Sequence, residues 1–154
     1  MSKILFVCLG NICRSPLAEA IFNHKCQQKG IKIHSSDSAG TGAYHIGEQP
    51  DDRSVEIAHA NGIYINHKAR KFVPNDCQEF DYIFAMDAAN HRDIISIAGK
   101  KPEQLYLLRE FDNEKSQNLN VPDPYYGGID GFENIFHMMS ECIENFINVE
   151  LTNE

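Results

Sequence analysis

The first apolar positions form an unbroken run, Lys3-Ile-Leu-Phe-Val7, which is how a strand covered on both faces of a parallel sheet reads. A polar, glycine-containing turn follows. Ser15 then reads as an N-cap and Pro16 as the first residue of a helix whose one face carries Leu17, Ala20, Ile21 and His24 and whose stop is Gly30. The segment from Ile31 to Ser38 alternates and then turns polar, predicting a second strand whose far end points toward the first turn. The opening is therefore a βαβ unit.

Beyond a glycine-rich loop, Ala39 to Gly47, the pair Pro50-Asp51 predicts a helix through Ala60, closed by Asn61-Gly62. Asp81 to Met86 reads as a third buried strand, and Asp87 caps a helix to Ala98. Leu105 to Leu108 is a fourth short strand. The polar stretch after it, rich in Asn, Asp, Pro and Gly, has no periodicity, and long loops of that kind tend to carry function. Phe132, Ile135, Phe136, Met139, Ile143, Phe146 and Ile147 then share one helical stripe. Strands alternating with helices predict an α/β fold: one domain over residues 1–154, with a four-stranded parallel sheet flanked by helices. In such sheets ligands bind beyond the carboxyl ends of the strands, and Cys8 stands at one of those ends.

Composition narrows the partners. A chain of 154 residues with 42% hydrophobic content can bury one substantial core, and a formal charge of −8 argues against nucleic acid or an anionic membrane as a general partner. No apolar run approaches the roughly 20 residues that span a bilayer. Five scattered cysteines without a secretory leader suggest reduced thiols and a cytoplasmic protein.

An anion must then be captured locally, and Cys8-Leu-Gly-Asn-Ile-Cys-Arg-Ser15 is built for it. The arginine falls six positions after the cysteine, between a buried strand and a helix start. A loop that short, through Leu9, Gly10, Asn11, Ile12 and Cys13, can aim backbone N–H groups at a tetrahedral oxyanion, and the helix N-terminus adds to the same positive field. Gly10 and Asn11 are residue types that tolerate unusual backbone angles, and Arg14 offers a bidentate fork. That field favours a nucleophilic thiolate at Cys8, which the Ser15 hydroxyl is positioned to steady. A zinc reading of Cys8 and Cys13 fails for want of a second ligand pair, and the seven histidines show no metal-ligand spacing. No metal or cofactor is expected.

Val7-Cys-Leu-Gly-Asn-Ile-Cys-Arg-Ser-Pro16 resembles the signature of the low-molecular-weight protein tyrosine phosphatases. The resemblance extends over nearly the whole chain, through Asp37-Ser38, His67-Lys-Ala-Arg70, Asp81-Tyr82-Ile83, Met86-Asp87 and Asp123-Pro-Tyr-Tyr-Gly127. It implies metal-independent hydrolysis of phosphotyrosine on proteins through a phosphocysteine. Expelling a phenolate needs a proton donor, and Asp123, held between Pro122 and Pro124, is the candidate, with Tyr125 and Tyr126 as aromatic walls. Ile12 and Tyr44 complete the wall; many eukaryotic relatives carry tryptophan where Tyr44 stands.

The same resemblance makes Asn11 the organiser of the loop, with Ser38 and His67 as its partners, and pairs Cys13 with Cys8 in a reversible disulfide. Cys26, Cys77 and Cys142 are assigned to packing or surface. Lys68, Arg70 and Lys71 read as a solvated basic run. Arsenate reductases of this fold place two further cysteines close together, whereas Cys77 stands alone, and arginine phosphatases of the family carry Thr where this chain has Ile12. An inactive phosphate-binding module is expected to lack the nucleophile or the acid, and both are present. The implied partners are tyrosine-phosphorylated proteins, and the implied state is a monomer or weak homodimer.

Overall fold

The computed structural model describes residues 2–32, 35–114 and 117–151. Its strands are β1 (Lys3–Cys8), β2 (Ser35–Gly40), β3 (Tyr82–Ala85) and β4 (Leu105–Leu107). Its helices are α1 (Arg14–Lys29), α2 (Asp52–Ala60), α3 (Asp76–Glu79), α4 (Ala88–Ala98) and α5 (Ile129–Phe146). The four strands pair in parallel in the order β2-β1-β3-β4, so β1 is central and Val7 lies between Ala39 and Ala85.

The missing alternation in β1 now has its cause. Ile4, Phe6 and Cys8 face the cluster under α1 and α5, while Leu5 and Val7 face a second cluster with Phe72, Ile83 and Ile94, so neither side of the strand meets water. Phe6 lies 5.7 Å from Phe22 of α1, and Phe84 lies 4.8 Å from Phe146 of α5, edge to face. The predicted stripe on α5 is buried throughout, with Cys142 added to it, and a π-type turn, Ile147–Leu151, extends the helix.

Several boundaries differ from the sequence reading, β3 among them, which is trimmed to Tyr82–Ala85. α1 starts at Arg14 after Cys13, which caps without a side-chain hydrogen bond, so Ser15 lies in the first turn with its hydroxyl turned inward rather than serving as N-cap. Pro16 is still harmless there, because first-turn amides have no intrahelical partner. β2 begins at Ser35 and runs on to Gly40, since pairing with β1 continues until Cys8 meets Gly40; Ile33 and His34 of the predicted strand lie outside the described residues. Leu108 leaves β4 for a 3₁₀ turn, Leu108–Phe111. The polar stretch that follows is anchored by Arg109, which holds Asp112 at 3.0 Å and the Asn120 carbonyl at 2.8 Å, and by Val121, which is fully buried. Among the described residues no helix is long and apolar enough to cross a membrane.

Candidate active site

Between Cys8 and Arg14 the chain bends into a tight loop, and its carbonyls show which way the amides face. The carbonyls of Cys8 and Leu9 accept from Thr41 and Gly42 at 2.9 Å each, that of Ile12 accepts from Asp51 at 2.8 Å, and that of Cys13 accepts from the Ser54 hydroxyl at 3.1 Å. All these partners stand outside the loop. In a trans peptide the N–H points opposite to the preceding carbonyl, so the amides of Leu9, Gly10, Cys13 and Arg14 turn inward. The result is a concave nest of donors at the start of a 16-residue helix.

Asn11 is the hub of that bend. With φ of 57° it is the only non-glycine residue in the left-handed region among the described residues. Its side chain is 1% exposed and spans the network behind the loop. Its amide nitrogen donates to Ser15 Oγ at 2.8 Å and Ser38 Oγ at 3.0 Å, while its oxygen accepts from the Arg70 amide at 2.9 Å and His67 Nε2 at 2.7 Å. Gly10 is different from expectation: its φ is not positive, and what glycine supplies there is room, because an added Cβ meets His45 Cδ2 at 3.0 Å.

Cys8 Sγ lies 3.0 Å from Ser15 Oγ on the floor of a cavity of about 490 Å³. Leu9, Gly10, Ile12, Cys13 and Arg14 line the floor, and Tyr44, His45, Asp123, Tyr125 and Tyr126 line the walls. Arg14 is 2% exposed; its NH1 donates to Asp87 Oδ2 at 2.7 Å and to the Val121 carbonyl at 2.9 Å, which fixes the plane of the guanidinium. Burial alone would lower the Arg14 pKa, but Cys8 and Asp87 more than offset it, and it lies above the ordinary arginine value. Asp123 stands across the cavity, its Oδ2 3.7 Å from Arg14 NH2 and its Oδ1 accepting from the Tyr125 amide at 3.0 Å. Tyr125 packs edge to face on Tyr126, which is 94% exposed at the rim. Burial, and next the charge of Asp51, push the Cys13 thiol far above the ordinary cysteine range, so it is protonated at neutral pH.

Behind the network, Glu19 Oε1 accepts from Ser38 Oγ at 2.8 Å, and His67 Nδ1 lies 3.5 Å from Glu19 and 3.6 Å from Asp37. Burial pushes Glu19 up to about 7 despite the opposing Ser38 hydrogen bond, and burial holds His67 below the usual histidine value against the pull of Asp37. These three side chains are the one grouping with metal-ligand spacing among the described residues. Arg70 on Asp37 at 2.9 Å opposes a cation there, and a proton satisfies the acceptors equally well.

The structure thus brings together every residue expected at the site, and adds others. Asp87 was legible only as a helix cap, which it is, through Asn90 at 2.7 Å, but a fully buried arginine also requires a carboxylate, and Asp87 supplies it. Arg70 is no solvated cation: it grips Asp37 and both oxygens of Asp76, leaving Lys68 and Lys71 exposed. His45 and Arg53 carried no sequence signal and Asp51 only that of a helix start, because their place at the site depends on how the loop after β2 folds back over Gly10.

A thiol at the carboxyl end of a central parallel strand, ringed by inward amides and a buried arginine, defines a cysteine-centred oxyanion-binding α/β protein. The chain belongs to the low molecular weight phosphotyrosine protein phosphatase family, matching it over residues 3–154. It is 42% identical over 151 residues to the low molecular weight phosphotyrosine protein phosphatase of Schizosaccharomyces pombe, covering 94% of each chain. Among solved structures it resembles YfkJ from Bacillus subtilis, with a TM-score of 0.91, 39% identity, and coverage of 100% of this chain and 97% of that one. It also resembles a Drosophila arginine phosphatase, with a TM-score of 0.89, 33% identity and 96% of each chain covered.

Proposed function

We propose that this protein hydrolyses phosphotyrosine on proteins through a phosphocysteine, and the observation that carries the reading is Asp123 facing Cys8 and Arg14 across one cavity walled by Tyr125. The Cys8 thiolate attacks phosphorus in line while the inward amides and Arg14 hold the equatorial oxygens. The bond from phosphorus to the phenol oxygen breaks, and Asp123 in its acid form protonates that oxygen. Asp123, now a carboxylate, takes a proton from water; the hydroxide attacks phosphorus, the P–S bond breaks, and inorganic phosphate leaves with the thiolate restored. Ser15 supports that thiolate, and Asn11, Ser38 and His67 support the loop. No step calls for a metal.

Ile12 gives the floor an apolar edge suited to a phenyl ring. A thiol relay for arsenate reduction lacks support, because Cys77 packs with the cluster on the opposite face of the sheet from Cys8. Cys13, free beside Cys8 on the same cavity, suits a protective disulfide: peroxide oxidises Cys8 to a sulfenic acid, and the Cys13 thiol displaces water from it. A cytoplasmic setting fits five free thiols, and the state proposed with it is a monomer or weak homodimer.

The deciding assay offers phosphotyrosine, phosphoserine and phosphoarginine peptides in chelator, alongside thiol-dependent arsenate reduction. Phosphotyrosine is expected to be the one efficient substrate, with no turnover by Cys8→Ser and a loss of about 10²- to 10⁴-fold in kcat for Asp123→Ala. Normal turnover by Cys8→Ser would sink the scheme, and preference for phosphoarginine would replace the substrate.

A further inference from the structure

Residues 122–128, which carry Asp123, have little holding them from within: the Tyr125 amide donates to Asp123 and the Gly127 amide to Pro124. Upstream, Arg109 and Arg14 hold the Asn120 and Val121 carbonyls, and Arg14 NH2 lies 3.7 Å from Asp123; past Asp123, the side chain that grips the backbone of the segment is that of Arg53. Arg53, in the first turn of α2, donates from NH1 to the Gly127 carbonyl and from NH2 to the Tyr125 carbonyl, at 3.0 Å each. The guanidinium lies 5.6 Å from the Tyr125 ring centre and 4.6 Å from that of Phe132, at the start of α5.

Its other donors meet Asp51, through Nε to Oδ1 and NH2 to Oδ2, at 3.0 Å each. Asp51 caps α2 through the Arg53 amide at 2.9 Å, and its own amide donates to the Ile12 carbonyl at 2.8 Å. One continuous path therefore runs from the phosphate-binding loop, through Asp51 and Arg53, to the segment that presents the acid. We infer that Arg53 is a positioning residue for proton transfer: it sets the height of Asp123 over Cys8 and ties that height to the phosphate-binding loop. The inference rests on the phosphatase reading above.

A role in placing the acid has a signature that general stability lacks, because esters of acidic phenols leave without a proton and esters of weakly acidic phenols do not. Arg53→Met keeps an apolar stem on Phe132 and removes the fork. With phosphotyrosine or phenyl phosphate its kcat is expected to fall about 10- to 100-fold, and with dinitrophenyl phosphate less than about threefold. In an Asp123→Ala background the same substitution is expected to change kcat less than about twofold, since the acid it positions is gone. Arg53→Lys, which cannot make the paired bonds, is expected to fall with Arg53→Met. Asp51→Asn, which frees one side of the fork, provides a second variant with the same leaving-group pattern should Arg53→Met fold poorly.

An equal loss across leaving groups, or an undiminished loss on top of Asp123→Ala, overturns the role of Arg53 while leaving the phosphatase reading intact. Wild-type protein that hydrolyses none of these esters overturns both.

Discussion

Asp87 and Arg14 share an ion pair that is buried on the arginine side, so the chemistry of the loop depends on a residue outside the phosphate cavity. Asp87→Asn removes a charge-assisted bond from a buried guanidinium, a change on the order of 2 kcal/mol. We expect kcat/KM to fall about 30-fold by the same arithmetic, measured on phosphotyrosine, with weaker inorganic phosphate binding. Glu19 offers a pH test. Its folded pKa of about 7 lies above its ordinary 4.5, so the native state holds an extra proton between those values, and stability present below 4.5 is lost as pH rises through 7. Glu19→Gln cannot ionise. Relative to wild type it should gain on the order of 2 kcal/mol between about pH 5 and about pH 8 in urea unfolding. His67, depressed by burial, acts in the opposite sense, losing stability as pH falls through its ordinary range, and is present in both proteins. At this scale Cys8, Arg14 and Asn11 were legible because their residue types at that spacing have a chemical use. Asp87 and Glu19 were not, because a carboxylate's burial depends on neighbours distant in the chain.

Elements meet the loop from outside, and they set its shape as much as its own residues do. Gly40 ends β2 where an added Cβ lies 2.7 Å from the Leu9 carbonyl oxygen, and backbone on both sides leaves nothing flexible to yield. Gly40→Ala should therefore push the loop off its register, destabilising the protein by about 1 to 3 kcal/mol in thermal or urea unfolding and weakening inorganic phosphate binding in parallel. Asn11 separates backbone from side chain. Asn11→Gly keeps a free choice of positive φ but loses the hydrogen bonds, and Asn11→Ala loses both, so the alanine variant should bind phosphate more weakly, by about 1 kcal/mol in a direct titration. The helix and strand cores were visible in periodicity. Their ends were not: Ser15 fits an N-cap by residue type, but the loop's curvature starts α1 two residues earlier and commits that hydroxyl to Cys8.

Across the whole molecule, the aromatic cluster beneath the sheet joins the floor of the site to α5. Phe146 touches Phe22, Tyr82, Phe84 and Phe111, and is fully buried. Phe146→Ala should destabilise the fold by about 3 to 5 kcal/mol in urea unfolding, yet leave KM for phosphotyrosine close to wild type in the fraction that remains folded. That separation is expected because the cavity lies at the strand ends while Phe146 packs under their middle.

The sequence by itself determined the α/β class, the parallel strands and the phosphate nest. Each follows from local facts: an unbroken apolar run, a cysteine and arginine at loop spacing, a helix start and an apolar stripe. It also marked Asp123, through a motif whose meaning came from resemblance. Only the tertiary structure decided what holds these pieces in place: Asp87 on Arg14, Arg70 on Asp37 and Asp76, and Arg53 between α2 and the acid loop. Apart from Arg70 and Asp76, six positions apart, those pairs join residues distant in the chain, and a charge's partner is chosen by the distance that folding creates, which no local pattern records.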